Sequence, residues 1–433
     1  MRLIVEVEYA SYMDRLRIIG GTPLFGTVEV SGAKNAALPI LFASILTNQK
    51  SIIKNIPLLA DINTTLKVLD SLGLKTLFKL ENHTIEIDGS TLNAHEAPYD
   101  LVRTMRASVL VLGPLLARKG IARVSLPGGC AIGARPVNFH LEALEKMGAN
   151  FIIEGGYIDG YAPNGLNGSE IEFPFPSVGA TENILMACVL AKGNSIIKNA
   201  ACEPEIVDLV IALRSMGAII SGEGTPTILV QGVTSLSAMD HSVAPDRIEA
   251  ATYLCAGLIT RGKVTVTGIN ESFMSSALQL LEKSGAKITS DQNSITAEYV
   301  KELTPINITT EPFPGFPTDM QAQFMALLTQ ANGISKISET IFENRFMHVP
   351  ELVRLGAKIE IKGNEATVTG PVKLSGAVVM ATDLRASASL ILGGLVAKGE
   401  TFIRRIYHLD RGYEQIEQKL SKIGAKIYRE LDK

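Results

Sequence analysis

The sequence predicts an α/β fold built from six repeated units, and one recurring pattern carries this prediction. After an amphipathic helix, a glycine is followed by a small or apolar residue and a β-rich stretch, as in LEKMGANFII and LEKSGAKITS. The recurrences are 68 to 75 residues apart, which exceeds the usual solenoid repeats and leaves room for two helices and several strands. The six glycines are Gly73, Gly148, Gly217, Gly285, Gly356 and Gly424.

The six units are expected to group into two domains of three, each unit holding an apolar first helix and an amphipathic second helix. The last unit ends nine residues after Gly424 and lacks strands, whereas segment 15–31 holds two short β-type runs around a Gly/Pro turn that could pair with it. One domain is therefore predicted to combine residues 13–33 with 246–433, and the other to span 34–245. The chain would then pass between the two domains twice, at adjacent places, and such a double connection predicts a hinge beside a ligand-binding cleft.

Composition indicates a globular protein of the cytoplasm. The chain has 433 residues, of which 46% are hydrophobic and 20% charged, enough for two sizeable cores. Its apolar runs are shorter than the ~20 residues of a membrane span. Residues 1–12 carry no export signal; we interpret them as an extension before a start at Met13, with an extra strand as the alternative. A net charge of −3 argues against nucleic acid, and four scattered cysteines do not suggest a metal site.

Charged residues that differ between the units concentrate where the helices are predicted to begin. A helix N-terminus exposes unpaired N–H groups and the positive end of the helix dipole, so carboxylates are favourable there and cations are not. Several cations at such positions therefore predict an anionic ligand that they share. The cations are Lys34, Arg103, Arg106, Arg135, Arg247, Arg345, Arg385 and Arg411, and the carboxylates are Asp61, Glu182, Glu205, Asp246, Asp319 and Asp383.

Segment 125–140, SLPGGCAIGARPVNFH, is predicted to be a glycine-rich loop that carries a thiol. It places Cys130 among three glycines, with Arg135 five residues further on. A loop thiol beside a cation near a helix start is the usual setting of a reactive cysteine. The alternative is that Cys130 is an incidental small residue in a turn.

Seven motifs, from about Met13 to the C-terminus, resemble those of the UDP-N-acetylglucosamine 1-carboxyvinyltransferases, also called UDP-N-acetylglucosamine enolpyruvyl transferases. The resemblance implies the enolpyruvyl transferase fold, with two inside-out α/β barrel domains of three repeats each, in agreement with the six glycines. The motifs are SGAKNAALPI at 31–40, RTMRAS at 103–108, LPGGCAIGARP at 126–136, FPTDMQAQF at 316–324, ENRFMHVPEL at 343–352, TDLRASASL at 382–390 and YHLDRGYE at 407–414.

The resemblance implies transfer of the enolpyruvyl group of phosphoenolpyruvate to the 3′-hydroxyl of UDP-N-acetylglucosamine, with release of phosphate, as the first committed step of peptidoglycan synthesis. It implies small-molecule substrates and a reaction that requires no metal or redox cofactor. By motif, Cys130 matches the general acid, which also forms a thioether adduct with phosphoenolpyruvate, and its loop would act as a lid. Asp319 matches the base near the sugar 3′-hydroxyl; a helix N-cap is its alternative interpretation.

The resemblance also implies two sets of binding residues. The sequence departs from the family at Asn138, where an aspartate is frequent, and at Phe175-Pro176, where some members have a lysine; the amide of Asn138 can still pair with a uracil edge. Phosphoenolpyruvate is expected to contact Lys34, Asn35, Arg135, Arg385 and Arg411, with Lys34 and Arg411 also counted as catalytic. UDP-N-acetylglucosamine is expected to contact Asn35, Arg106, Arg135, Pro136, Val137, Asn138, Phe139, Ser177, Val178, Gly179, Asp319 and Ile341.

Two other functions stay open. The sister enolpyruvyl transferase of aromatic biosynthesis acts on shikimate 3-phosphate, but it is expected to lack the loop cysteine and to carry a serine-rich lysine motif where this chain has GAKNAAL. A non-catalytic paralogue that binds the UDP-sugar without turnover would be expected to lose Cys130, Asp319 or one of the arginines. All of these are present.

Overall fold

The structure, a computed structural model, describes residues 14–102, 105–126 and 137–432. Within these ranges the chain forms two compact units, which change over between Ser31 and Gly32 and again between Ala244 and Pro245. We call the described residues within 32–244 the continuous unit, and residues 14–31 with 245–432 the discontinuous unit. The extension 1–12, Arg103, Cys130, Arg135 and Pro136 lie outside the described residues.

The regular elements are short and follow one another in a repeating order. The strands are β1 (Asp14–Ile19), β2 (Phe25–Glu29), β3 (Lys50–Lys54), β4 (Lys75–Lys79), β5 (Thr84–Asp88), β6 (Glu96–Ala97), β7 (Ile121–Ser125), β8 (Asn150–Glu154), β9 (Tyr157–Tyr161), β10 (Glu170–Glu172), β11 (Asn194–Lys198), β12 (Ile219–Ser221), β13 (Thr227–Gln231), β14 (Asp240–Ser242), β15 (Lys263–Thr267), β16 (Lys287–Ser290), β17 (Ser294–Glu298), β18 (Ile308–Thr309), β19 (Gly333–Ser338), β20 (Lys358–Lys362), β21 (Glu365–Gly370), β22 (Val378–Met380), β23 (Glu400–Arg404) and β24 (Lys426–Leu431). The helices are α1 (Lys34–Ala43), α2 (Ala60–Ser71), α3 (Tyr99–Val102), α4 (Leu112–Lys119), α5 (Asn138–Lys146), α6 (Val178–Cys188), α7 (Pro204–Ser215), α8 (Arg247–Ile259), α9 (Ser275–Lys283), α10 (Gln321–Leu328), α11 (Val349–Arg354), α12 (Leu384–Val396) and α13 (Ile416–Lys422).

Three four-stranded sheets of one topology build the continuous unit. Their strand orders are β14-β3-β5-β4, β6-β7-β9-β8 and β10-β11-β13-β12. In each sheet the first edge strand runs parallel to its neighbour, as β14 does to β3, and the remaining pairs are antiparallel. Because the last strand of the unit, β14, pairs with the first repeat, the three repeats close into a ring.

The N-terminal segment completes two sheets of the discontinuous unit. Strand β1 lies between β23 and β24 and is antiparallel to both, with Leu16 opposite Ile403 and Arg429. The first β-type run of segment 15–31 therefore pairs with the C-terminal end, as predicted. The second run, β2, instead lies parallel to β15 in the fourth repeat. That repeat is the first after the crossing, so no preceding repeat of its own unit is available to supply the edge strand.

The first helix of each repeat lies inside and the sheets lie outside. All thirteen residues of α8 are buried, and α8, α10 and α12 pack against one another. The strands alternate buried and exposed residues, as in β13, which places one face on the helices and the other in solvent. Each unit is therefore an inside-out α/β barrel, the class that the family resemblance implies.

The six recurring glycines end the second helix of each repeat. Their φ angles lie between +90° and +108°, in the left-handed region that residues with a Cβ rarely adopt. The residue after each glycine donates its N–H five residues back, as Ala218 does to the carbonyl of Leu213 at 3.1 Å. This hydrogen bond is that of a Schellman cap, so the repeated glycine is a helix stop before an outer strand.

Candidate active site

The predicted cations do not all begin an α-helix. Lys34 and Arg385 lie in the first turns of α1 and α12. Arg345 and Arg411, by contrast, precede α11 and α13. Helix α11 begins later because Pro350 suits its first turn. Arg411 instead ends a separate 3-10 helix, Ile406–Arg411.

Asp319 forms the centre of a charged cluster in the discontinuous unit. Its Oδ1 accepts a hydrogen bond from Arg345, and its Oδ2 lies 3.3 Å from Nη2 of Arg385. The side chains of Arg345 and Arg385 are only 3% and 6% exposed, whereas that of Asp319 is 29% exposed. Two buried cations thus hold a carboxylate that a substrate can reach.

The helix-capping interpretation of Asp319 is wrong. The residue lies inside a 3-10 helix, Thr318–Met320, whose N-cap is Pro317, and the N-cap of the following α10 is Met320. The carboxylate instead pairs with two guanidinium groups, and its partial exposure leaves it open to a ligand. Burial opposes the charged form of Arg385, but the charge of Asp319 helps to raise the pKa of Arg385 above its usual value.

The Thr318–Asp319 turn is tied to Ile341 through one buried carboxylate. Glu339 is 3% exposed, and its Oε2 accepts a hydrogen bond from Thr318 Oγ1 at 2.8 Å. Its Oε1 accepts from the backbone N–H of Ile341 at 2.9 Å. Two segments that the resemblance assigns to the nucleotide sugar are therefore brought together.

Tyr413 anchors the segment that contains Arg411. Its hydroxyl lies 2.8 Å from Oγ1 of Thr252 and accepts a hydrogen bond from Gln323 at 3.1 Å. Gln323 also lies 3.2 Å from the backbone carbonyl of Asp319. The Arg411 segment is thereby connected to the helix that follows Asp319.

In the continuous unit, Lys34 pairs with the first turn of the neighbouring second helix. Its Nζ lies 3.2 Å from Oδ2 of Asp61, and the two side chains are 12% and 5% exposed. This contact brings together the two predicted helix starts of the first repeat. Asn35 follows Lys34 in α1 and is partly buried.

The segments 137–139 and 177–179 meet at His140. A Cβ on Gly179 would lie 3.6 Å from the His140 ring, and Asn183 of α6 lies 2.9 Å from its Nδ1. The side-chain Oδ1 of Asn183 accepts from the N–H of Gly113, so its amide nitrogen faces the imidazole, which must accept. Burial, and then the charge of Arg106, lower the pKa of His140 to about 4. The imidazole is therefore neutral at physiological pH.

The other residues that the resemblance assigns to the nucleotide sugar lie at the starts of α5 and α6 or outside the described ranges. Val137 is the N-cap of α5, Asn138 is exposed and lies 3.4 Å from Glu142 Oε1, and Phe139 packs on the core. Ser177 caps α6 by accepting a hydrogen bond from the N–H of Ala180. Cys130, Arg135 and Pro136 cannot be placed, because they lie outside the described residues.

Sequence reasoning missed Glu339, His140 and Tyr413 as parts of these clusters. Tyr413 stands inside YHLDRGYE, and His140 closes the loop segment 125–140, so proximity to a motif was a usable signal. Glu339 follows a strand and gives no local signal. Within the described ranges, no helix is long and apolar enough to cross a bilayer, and no cluster of three or more His, Cys, Asp or Glu residues is arranged for a metal ion.

Comparison with known proteins gives consistent matches over nearly the whole chain. Residues 18–420 match the family described as EPSP synthase (3-phosphoshikimate 1-carboxyvinyltransferase). The UDP-N-acetylglucosamine 1-carboxyvinyltransferase of Xanthobacter autotrophicus is 53% identical over 426 residues, which cover 96% of this chain and 99% of the relative. The protein of the same name from Trichlorobacter lovleyi is 55% identical over 417 residues, with the same coverage.

Solved structures of similar fold include two enolpyruvyl transferases. The enolpyruvyl transferase NikO from Streptomyces tendae has a TM-score of 0.88 and 27% identity, and the match covers 97% of this chain and 99% of that one. The EPSP synthase from Acinetobacter baumannii has a TM-score of 0.75 and 19% identity, covering 96% of this chain and 100% of that one. At that identity the second likeness supports the fold alone.

Proposed function

Because the chain belongs to the UDP-N-acetylglucosamine 1-carboxyvinyltransferase family, we propose that it transfers the enolpyruvyl group of phosphoenolpyruvate to the 3′-hydroxyl of UDP-N-acetylglucosamine and releases phosphate. The observation that carries this proposal is the 55% identity over 417 residues to a relative of that name. The EPSP synthase structure, at 19% identity, supports the fold alone and gives no support to transfer to shikimate 3-phosphate.

The reaction adds the sugar oxygen to C2 of phosphoenolpyruvate and a proton to C3, giving an anionic tetrahedral intermediate. Breaking the C2–O bond to phosphate, with loss of a proton from C3, then restores the double bond. The enzyme has to remove the hydroxyl proton, deliver a proton to C3 and stabilise the negative charge.

Asp319 is the base that accepts the proton of the sugar 3′-hydroxyl. Its carboxylate is held by Arg345 and Arg385 and is itself 29% exposed, so it is fixed in place and accessible. A positioned carboxylate of this kind suits general base catalysis. Glu339 and Ile341 adjoin the same turn.

Lys34, Asn35, Arg135, Arg385 and Arg411 bind phosphoenolpyruvate. Guanidinium groups match the paired oxygens of phosphate and carboxylate, and several are needed for so concentrated a charge. Arg385 supplies such a guanidinium beside Asp319, with its side chain only 6% exposed.

Cys130 is the general acid and the site of the thioether adduct with phosphoenolpyruvate. This role rests on the match of LPGGCAIGARP to the family motif, since the residue lies outside the described ranges. A thiol is both a proton donor near neutral pH and, as the thiolate, a strong nucleophile.

UDP-N-acetylglucosamine contacts Asn35, Arg106, the segment 135–139, the segment 177–179, Asp319 and Ile341. Support comes from the meeting of segments 137–139 and 177–179 at His140. By this reaction the protein catalyses the first committed step of peptidoglycan synthesis, and so serves cell-wall growth, cell shape and division. We place it in the cytoplasm, with small molecules as its substrates.

The test is phosphate release from phosphoenolpyruvate by the purified full chain. Release that requires UDP-N-acetylglucosamine is the expected result. Release that requires shikimate 3-phosphate would identify the sister activity, and binding of UDP-N-acetylglucosamine without any release would identify a non-catalytic paralogue.

A further inference from the structure

In each sheet, the inner strand beside the parallel edge strand (β3, β7, β11, β15, β19 or β23) is followed by a residue whose conformation differs between the repeats, and Leu126 and Glu339 depart from the common pattern. In four repeats this residue has a positive φ and serves as a left-handed turn at the end of the strand. Glu339, after β19, has no positive φ, and its side chain is buried. A departure from a repeated local pattern often marks a functional position. The four left-handed residues are Asn55, Asn199, Gly268 and Arg405.

The Glu339 carboxylate is satisfied by four hydrogen-bond donors and no cation. Oε1 accepts from Thr310 Oγ1 at 2.9 Å and from the N–H groups of Ile341 at 2.9 Å and Phe342 at 3.2 Å. Oε2 accepts from Thr318 Oγ1 at 2.8 Å. Within the described part of the chain no Lys, Arg or His forms an ion pair with it. A buried carboxylate is costly unless such donors converge on it, so these contacts fix it in one orientation.

The donors belong to three separate pieces of the discontinuous unit. Thr310 follows β18, Thr318 precedes Asp319, and Ile341 lies in the loop after β19. If the proposed function holds, Asp319 and Ile341 both contact UDP-N-acetylglucosamine. We propose that Glu339 is a positioning residue for the acceptor sugar nucleotide, which sets the Thr318–Asp319 turn and the Ile341 loop at the spacing that the ligand requires.

Glu339→Gln is the sharpest variant because it keeps the shape and removes the charge. The amide nitrogen of the glutamine cannot accept a hydrogen bond. The donors that face this nitrogen therefore lose their acceptor, or the Thr318 hydroxyl has to turn and accept instead of donating. We expect the dissociation constant of UDP-N-acetylglucosamine, measured by calorimetry without phosphoenolpyruvate, to rise about tenfold. The KM for phosphoenolpyruvate should stay within about twofold, because none of the four donors is assigned to that substrate.

Ser335→Ala is the matched control. Ser335 lies on the same strand, is 0% exposed, and accepts a hydrogen bond from the N–H of Ile306 at 3.2 Å. The variant loses a buried hydrogen bond of the same sheet away from the Ile341 loop. It should lower the melting temperature and leave the dissociation constant of UDP-N-acetylglucosamine unchanged.

Three outcomes separate the possibilities. If Glu339→Gln loses stability as Ser335→Ala does, but binds UDP-N-acetylglucosamine normally, the positioning role is wrong and the proposed function is unaffected. Wild-type protein that does not bind UDP-N-acetylglucosamine would overturn the proposed function, and this inference with it. If Glu339→Gln fails to fold, Thr318→Val removes one of the same contacts, and normal binding by that variant would overturn the inference.

Discussion

Asp319 illustrates how a single side chain can combine a structural contact with chemistry. Its carboxylate balances two guanidinium groups that are almost fully buried, and unpaired buried charges are strongly destabilising. Replacement by alanine would therefore mix a loss of chemistry with a loss of stability. Asparagine keeps the shape and two polar atoms, so it separates the two effects better.

Asp319→Asn should lower kcat by about 100-fold or more, because an amide cannot accept the hydroxyl proton at neutral pH. Affinity for phosphoenolpyruvate should hold or improve, since a negative charge near that anion is removed. Steady-state kinetics with both substrates test this, and the melting temperature of the variant shows whether it is folded. Full turnover by this variant would mean that Asp319 is not the base.

His140 is predicted to make the continuous unit sensitive to acid. Burial and Arg106 lower its pKa to about 4, whereas the unfolded chain takes up the proton near pH 6.5. The stabilising contribution is therefore complete above pH 6.5 and is lost as the pH falls towards 4. Between pH 7 and pH 5 the loss is about 2 kcal/mol for this group.

His140→Gln should flatten this dependence, because its amide oxygen can still accept from Asn183 and does not titrate. Thermal unfolding at pH 7 and pH 5 makes the comparison. Part of the slope should remain, since burial also lowers the pKa of His348 and of His408 to about 4. Parallel curves for the variant and the wild type would show that His140 does not contribute.

At the scale of elements, the glycine that ends each second helix makes a contribution to the unfolding free energy that substitution can measure. Gly217 has a φ of +97°, and a Cβ added there would meet nothing within 4 Å. Gly217→Ala should therefore cost about 1–2 kcal/mol of unfolding free energy from backbone strain alone. Gly217→Asn should cost less, because asparagine tolerates the left-handed region. Urea unfolding ranks the three proteins, and equal midpoints would contradict the strain argument.

The inner helices explain why the elements assemble in this order. Their sequences are rich in small and aliphatic residues, which leave no polar face and require burial on all sides, as in α8. Charged residues occur at the N-terminal ends of these helices. Asp246 caps α8 and Asp383 caps α12, and each carboxylate accepts hydrogen bonds from backbone N–H groups of the first turn. Charged residues thus gather at the ends of apolar helices, where the candidate site residues are also found.

At the scale of the whole molecule, each unit has its own hydrophobic core, and the discontinuous unit needs both ends of the chain. Leu16 of β1 is 0% exposed and packs in the core of that unit. Leu16→Ala should cost about 2–5 kcal/mol. Hydrogen exchange should then quicken in β23 and β24 and stay unchanged in β3 and β5 of the continuous unit.

Arg17→Ala is the control for this prediction, because Arg17 lies on the same strand with its side chain 32% exposed and paired with Glu400 and Glu430 at the surface. Exposed ion pairs contribute at most about 1 kcal/mol, so its effect on exchange should be small. Faster exchange throughout both units in Leu16→Ala would show that the two cores unfold together.

The sequence by itself determined the features that depend on local chemistry. The glycine that recurs after an amphipathic helix predicted six repeats, and in the structure each of these glycines ends a helix at a φ that residues with a Cβ rarely adopt. The apolar composition of the first helices was also visible in the sequence, and α8 is buried along its whole length. The motif around Asp319 was sufficient to suggest a base, and the assignment of Cys130 stays a prediction from its motif.

Only the tertiary structure decided which side chains meet. Asp319 contacts Arg345 and Arg385, which are 26 and 66 residues away along the chain, and Glu339 joins Thr318 to Ile341. The pairing of β2 with β15 likewise spans more than 230 residues. The contacts of Asp319 with Arg345 and of Glu339 with Thr318 and Ile341 form within one repeat, whereas the contact of Asp319 with Arg385 joins two repeats. In both cases the packing of helices against sheets decides which side chains come within hydrogen-bond distance, and the sequence pattern of the motifs does not name the partner.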